Sequence, residues 1–373
     1  MKKCFLLLAT VINAATLCAQ GTSQKSPFYE VKTVKATPVK NQAMTGTCWC
    51  FSTTSLVESE AIRKTSKEVD ISEMFTVRNI YIEKAKNYIL RTGKAQFGEG
   101  GLGHDMIRAM ELYGAMPESA YSGLVNGARQ LNHGEMAKKL ETYLGDLLKK
   151  VPVAENWLKG YEAILDEYMG APPAQFSYEG KTYTPQAFAK EVVKFSAEDY
   201  VNITSFTHAP YYKPFVLQVP DNFSNGSFYN LPLDEMIAVV KESVNKGYSV
   251  MWDADVSNNG FKQDIGLALY LDQQTKYAKE NLHPETQEQP YNVTIRQQLY
   301  ENLTTQDDHL MHIVGTEKSK DGKTFFLVKN SWGSVGPYNG YINVSEPYFA
   351  INTVTLVVPK AALSKELLAK LKP

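Results

Sequence analysis

The chain has 373 residues, 43% hydrophobic and 21% charged, the composition of a globular protein with a sizeable core. Its 39 basic and 40 acidic side chains leave a formal net charge of -1. That balance leaves no basic excess to suggest nucleic acid or an acidic membrane surface as a partner.

Lys2-Lys3, the mostly apolar run Cys4 to Cys18 and the small Ala19 read as a signal peptide over residues 1–19. The expectation is export, to the periplasm or outside the cell. The run turns polar too soon for a lasting span, and no later segment has the apolar length of a spanning helix. A lipid anchor on Cys18 is the competing reading, but bulky Leu17 stands where lipoprotein signals place a small residue. Of the four cysteines, only Cys48 and Cys50 then remain, too close in sequence to staple a fold.

Residues 20–40 are polar and then extended, ending in Thr37-Pro38-Val39. Cys48 to about Lys64 is predicted helical, with Phe51, Leu56, Val57 and Ala61 on a buried side. Ser72 to Leu90 reads as a second helix capped by Ser72. A glycine-dense loop, Gly98 to Gly103, precedes a helix over Asp105–Tyr113 that stops at Gly114. The stretch 132–170 reads as one helical block ended by Gly170-Ala171-Pro172-Pro173. Thr184-Pro185-Gln186 is a further helix start, with Thr184 as N-cap. After about residue 200, runs rich in Val, Tyr and Phe predict strands, among them Tyr248–Trp252, Leu310–Thr316 and Phe325–Val328. The last two flank the turn signal Asp321-Gly322. There is no internal repeat.

Four residues carry a chemistry. Cys48 opens a predicted helix, whose positive end favours a thiolate. His309 can take its proton. Asn330 ends the strand after the one that His309 begins, so its amide can hold one imidazole nitrogen. Counting back from the turn leaves the two about four residues out of register, a gap that a bulge would narrow. Gln42, just upstream of the thiol, supplies an amide donor for an oxyanion. Trp332 is placed to keep water from the His309–Asn330 bond. Gly100 and Gly101 allow a peptide backbone to approach closely. Cys50 reads as a small buried apolar residue. His312 lies on the opposite strand face from His309 and is given a structural role. His104, His133, His208 and His283 are read as surface or loop histidines. No metal or nucleotide motif occurs, so no metal and no cofactor is expected.

These segments resemble the papain superfamily of cysteine peptidases: Gln42…Cys48-Trp49-Cys50-Phe51, Asp308-His309…Gly315, Asn330-Ser331-Trp332-Gly333 and Gly340-Tyr341. Thr45 stands where that signature carries a disulfide cysteine, which points to the bleomycin hydrolase and aminopeptidase C branch. Gly100-Gly101…Asp105-Met106, Tyr113-Gly114-Ala115-Met116-Pro117 and Thr184-Pro185-Gln186-Ala187-Phe188 are similar to segments of that branch. The resemblance implies an α+β papain-like fold over residues 20–373. A helical half with a central helix would carry Cys48, and a β-barrel half would carry His309 and Asn330. A helical insertion would span about 124–215. It further implies Cys48 as nucleophile, His309 as base and acid, Asn330 as orienter and Gln42 as oxyanion donor. Peptides are the implied substrates, and a homo-oligomer, often a hexamer in the branch, the implied assembly. Two departures stand out. Members of the branch are mostly intracellular, and this sequence stops at Leu368-Ala369-Lys370-Leu371-Lys372-Pro373, short of the arm that restricts cleavage to N-terminal residues there. An aminopeptidase is the first reading; an endopeptidase with an open cleft, or a non-catalytic binding protein of the same fold, are the alternatives.

Overall fold

The computed structural model describes residues 27–371. The signal peptide and the anchor reading of Cys18 lie outside them. Strand β1 (Tyr29–Thr33) leads into three helices, α1 (Cys48–Thr65), α2 (Glu73–Leu90) and α3 (Gly103–Tyr113). Ser72 caps α2 as expected, its Oγ accepting the Phe75 N–H at 3.1 Å. Helix α3 starts two residues earlier than its sequence suggests, with the Asp105 carboxylate accepting the Leu102 N–H at 3.2 Å. It stops at Gly114, whose φ is +80° and where a Cβ would sit 2.3 Å from the Pro185 carbonyl carbon. Only glycine fits there.

The block 132–170 is two helices, α4 (Gly134–Leu148) and α5 (Trp157–Met169). Pro152 explains the break: it lacks an N–H and drives Val151 out of the helical region. The hairpin β2 (Phe176–Tyr178) and β3 (Lys181–Tyr183) follows, then α6 (Pro185–Phe188), capped by Thr184 and continued by a π-helical turn to Val193.

The rest is mostly sheet. Strands β4 (Tyr200–Thr204), β5 (Pro214–Val216) and β6 (Ser227–Asn230) precede α7 (Leu233–Asn245). Then come β7 (Val250–Ala254), β8 (Phe261–Lys262), β9 (Leu267–Ala268) and α8 (Val293–Glu301). The chain closes with β10 (His309–Lys318), β11 (Thr324–Lys329), β12 (Tyr341–Ser345), α9 (Glu346–Asn352), β13 (Thr353–Pro359) and α10 (Lys365–Lys370). The large sheet runs β5-β6-β4-β13-β7-β10-β11-β12-β9-β8, with β1 added on β10. Among the described residues no helix is long and apolar enough to cross a membrane.

Helix α1 departs from the one-sided pattern read from its sequence. Every residue from Cys48 to Ile62 is buried, because α2 and α3 cover one side and β10 and β7 the other. Its polar side chains therefore need partners inside the protein, and all but a few, such as Ser59, find them. Thr53 Oγ1 donates to Trp49 O at 2.7 Å, and Glu58 accepts from Thr37 Oγ1 at 2.5 Å and from Ile71 N–H at 2.8 Å. Three apolar clusters result: one around α1, α2 and α3, one around Trp252, Phe326 and Phe349 within the sheet half, and a small one around Phe28, Leu269 and Phe325.

Candidate active site

Cys48 is the first residue of α1, and its N-cap, Thr47, makes no side-chain cap. The thiol therefore lies at a helix end whose N–H groups lack a capping side chain. The loop before it is stitched to itself. Gln42 Nε2 donates to Thr45 O at 2.7 Å, Thr45 Oγ1 donates to Gln42 O at 2.8 Å, and Thr45 and Thr47 share a 2.6 Å hydroxyl contact. Gly46 N–H is held by the Glu99 carboxylate at 2.8 Å, and the Trp49 indole donates to Glu99 O at 3.0 Å. The Thr45 hydroxyl thus fastens this loop from within.

His309 and Asn330 are brought together as their spacing suggested. Strands β10 and β11 pair antiparallel around the Ser319–Gly322 turn, and the register shifts by one residue between Ile313 and Gly315. Continued one residue beyond His312↔Lys329, that register sets Asn330 against Met311. His309 is then its diagonal neighbour on the same face, within side-chain reach. His309 Nε2 lies 2.7 Å from Asn330 Oδ1. Asn330 Nδ2 donates to Gln263 Oε1 at 2.9 Å, and Oδ1 also accepts the Ser331 N–H at 2.7 Å. Oδ1 can only accept, so His309 carries its proton on Nε2 and keeps the Nδ1 lone pair free for exchange. The Trp332 ring lies 4.6 Å from the imidazole at 31° and covers it.

Ser331 Oγ donates to Gln42 Oε1 at 2.6 Å, and Gln42 N–H donates to Ser331 O at 2.8 Å. These bonds tie the amide beside the thiol to the segment that holds the imidazole. Gln42 Nε2 retains a second N–H beyond the one given to Thr45. The backbone N–H of Leu310, next to His309, bonds the Cys48 sulfur.

Electrostatically, burial opposes a charge on either member of the pair. Burial pushes the Cys48 thiol up to about 12, opposed by the Leu310 N–H and assisted by the carboxylates of Asp307, Asp253 and Asp221. Burial pulls His309 down to about 4, with the Asn330 bond acting the other way. Each group resists ionising alone. Proton transfer from sulfur to imidazole creates both charges together, and their attraction offsets part of both costs.

Cys50 is fully buried with its sulfur 3.3 Å from Glu73 O, and His312 is fully buried with Nδ1 2.8 Å from Ser55 Oγ. Both hold structural positions, as read from the sequence. Two other histidines do not fit their surface reading. His104 and His133 are buried, the first against Ser224 Oγ at 2.9 Å, the second against the Tyr81 hydroxyl at 3.1 Å. Packing against α2 covers His133 and the 217–226 segment covers His104, and no local pattern announces such contacts. His208 and His283 are exposed. Gly101 is buried, and a Cβ there would lie 3.2 Å from the Trp49 indole. Gly100 is half-buried beneath the Asp221 carboxylate. Gln263, Ser331 and the acids Asp221, Asp253 and Asp307 were not singled out by sequence. Only Ser331 had a signal, its place between Asn330 and Trp332.

Fold and site define a papain-like cysteine peptidase. Residues 94–373 match the profile of the Peptidase C1-like family and residues 27–79 that of papain family cysteine proteases. The chain belongs to the Peptidase C1-like family and is a cysteine peptidase of the aminopeptidase C and bleomycin hydrolase type. It is 25% identical to aminopeptidase C of Streptococcus thermophilus, over 89% of this chain and 82% of that one. It is 24% identical to bleomycin hydrolase of Rattus norvegicus, over 92% and 85%. The crystal structure of pepw from Lactobacillus rhamnosis superposes with a TM-score of 0.71 at 20% identity, covering 92% of this chain and 84% of that one.

Proposed function

We propose that this protein is an exported aminopeptidase that cleaves through a thioester, with Cys48 as nucleophile, His309 as base and acid, Asn330 as orienter and Gln42 as oxyanion donor. The observation that carries the reading is the buried 2.7 Å bond between His309 Nε2 and Asn330 Oδ1. It fixes the tautomer in which Nδ1 can accept the thiol proton. The sulfur attacks the scissile carbonyl as its proton passes to Nδ1. The oxyanion accepts hydrogen bonds from the Cys48 N–H and the second Gln42 Nε2–H. Collapse expels the amine, which takes the proton from His309 and leaves a thioester. Water then attacks the thioester, giving its proton to His309, which returns it to the departing sulfur. Restriction to N-terminal residues is favoured by relatives that bear the name aminopeptidase C. Export rests on Lys2-Lys3, the apolar run to Cys18, and Ala19.

The test compares two fluorogenic peptides under reducing conditions, one with a free α-amine and one acetylated. The proposal expects cleavage of the first only, abolished by Cys48→Ala. Equal cleavage of the capped peptide would make the protein an endopeptidase, and activity surviving Cys48→Ala would remove the mechanism.

A further inference from the structure

The charged groups that weigh most against a Cys48 thiolate are acidic: Asp307, Asp253 and Asp221. They come from three places. Asp253 lies in β7 directly opposite Leu310, whose N–H bonds the thiol. Asp307 is two residues before His309. Asp221 belongs to the 217–226 segment, far from both in sequence.

Asp253 is wholly buried; its Oδ2 accepts from Thr355 Oγ1 at 2.9 Å, while Oδ1 has no partner of its own. It faces the Asp307 carboxyl at hydrogen-bonding range, and Asp307 Oδ2 is likewise buried and without another partner. Two carboxyls so placed share a proton or hold a cation. The Asp221 backbone N–H points at Asp307. The Asp221 carboxylate lies over Gly100, where a Cβ would come within 2.0 Å of Oδ2. Gln96 Nε2 holds its Oδ1 at 3.0 Å.

The segment that carries Asp221 is anchored on both sides of the cleft. Ser224 Oγ donates to Asp105 Oδ1 at 2.6 Å, and the Tyr300 hydroxyl donates to Gln218 O at 3.0 Å. Lys84 is the cation that acts on Asp221; its Nζ donates to Gly100 O and lies 5.4 Å from the Phe223 ring centroid. The Asp221 carboxylate therefore lies across the glycine that would otherwise run alongside a substrate backbone, with Lys84 as its nearby cation.

We infer that Asp221 and Asp307, backed by Asp253, form an anionic pocket that binds the α-ammonium group of a peptide substrate, so that an internal loop limits cleavage to the N-terminal end. This rests on the peptidase reading and supplies its specificity. Asp221 bars further chain from passing Gly100, and a free ammonium pairs with the Asp221 and Asp307 carboxyls, the buried Asp253 adding to the field behind them. An acetylated terminus presents neither charge nor the donors to pair with these oxygens.

The test is calorimetric binding to the full-length Cys48→Ala protein of Phe-Ala-Ala-Ala with a free amine and of its N-acetyl twin. The free-amine peptide is expected to bind at least tenfold tighter. Asp221→Asn and, separately, Asp307→Asn are expected to cut that advantage below threefold, in variants whose thermal unfolding stays cooperative. Equal binding of the two peptides, or an advantage that survives both substitutions, overturns the inference. Turnover by the unsubstituted enzyme separates the two readings. Cleavage confined to free-amine peptides without a binding advantage leaves an aminopeptidase that lacks this anchor. An Asp221-dependent advantage with equal cleavage of capped peptides leaves the anchor and removes the aminopeptidase assignment.

Discussion

Replacing Asn330 by alanine isolates the imidazole's support. The substitution removes the acceptor 2.7 Å from His309 Nε2 while His309 is only 5% exposed, so water does not readily replace it. In the ground state the lost bond joins neutral groups. In the transition state of the proposed mechanism His309 is an imidazolium, and a hydrogen bond to a charged group is worth roughly 1.5–3 kcal/mol. The Asn330 bond is the main contribution that favours the charged imidazole against burial. Its loss falls on the protonated form, hence on kcat rather than KM. At about 1.4 kcal/mol per factor of ten, kcat drops roughly 10- to 150-fold. The assay is steady-state hydrolysis of a free-amine fluorogenic peptide from pH 5 to 9, with the rate of Cys48 alkylation by iodoacetamide measured alongside. Both rates fall if the reasoning holds. A variant with wild-type kcat and an unshifted pH profile would mean that Asn330 neither orients nor stabilises the imidazole.

Three further outcomes are expected. If Gln42 is the oxyanion donor proposed above, Gln42→Ala raises the barrier by about 3 kcal/mol and lowers kcat/KM some hundredfold, with KM little changed; a loss confined to KM would contradict that role. Iodoacetamide should label Cys48 ahead of Cys50, which is fully buried with its thiol pushed well above the usual range by burial; equal labelling by mass spectrometry would refute this. Burial pulls His133 from 6.5 down to about 4, so its contribution to stability is full above pH 6.5 and is lost as pH falls through 4. Urea unfolding of the wild type and of His133→Asn should therefore converge by about 2 kcal/mol between pH 7 and pH 5, and parallel stabilities would exclude the linkage.

The sequence was most legible where one residue type has one physical use. Ser72, Thr184-Pro185 and Gly114 each answer a local backbone requirement, and each sits where that requirement arises. Cys48, His309, Asn330 and Gln42 were recognisable because their functional groups differ and their order is preserved. What stayed hidden depends on tertiary contact. The break between α4 and α5 turned on one proline inside a strongly helical composition. The burial of α1 on all sides left no periodic trace, since Ser52, Thr54, Ser55 and Glu58 find partners that only the folded chain supplies. The acids around Cys48 are separated by tens of residues, and sheet pairing rather than any motif brings Asp253 opposite Leu310.

One layer below the reacting atoms, α1 meets the sheet through polar groups. Ser55 Oγ contacts His312 Nδ1 at 2.8 Å and accepts from Lys329 Nζ at 2.7 Å, while Lys329 also donates to Thr37 Oγ1 at 3.1 Å. Apolar surfaces tolerate small slips because their attraction has no preferred direction. Hydrogen bonds do not, because they weaken steeply with angle. The joint between helix and sheet thus works as a dowelled seam rather than a greased one. The walls of the cleft can drift in sequence while the separation between thiol and imidazole is kept from below.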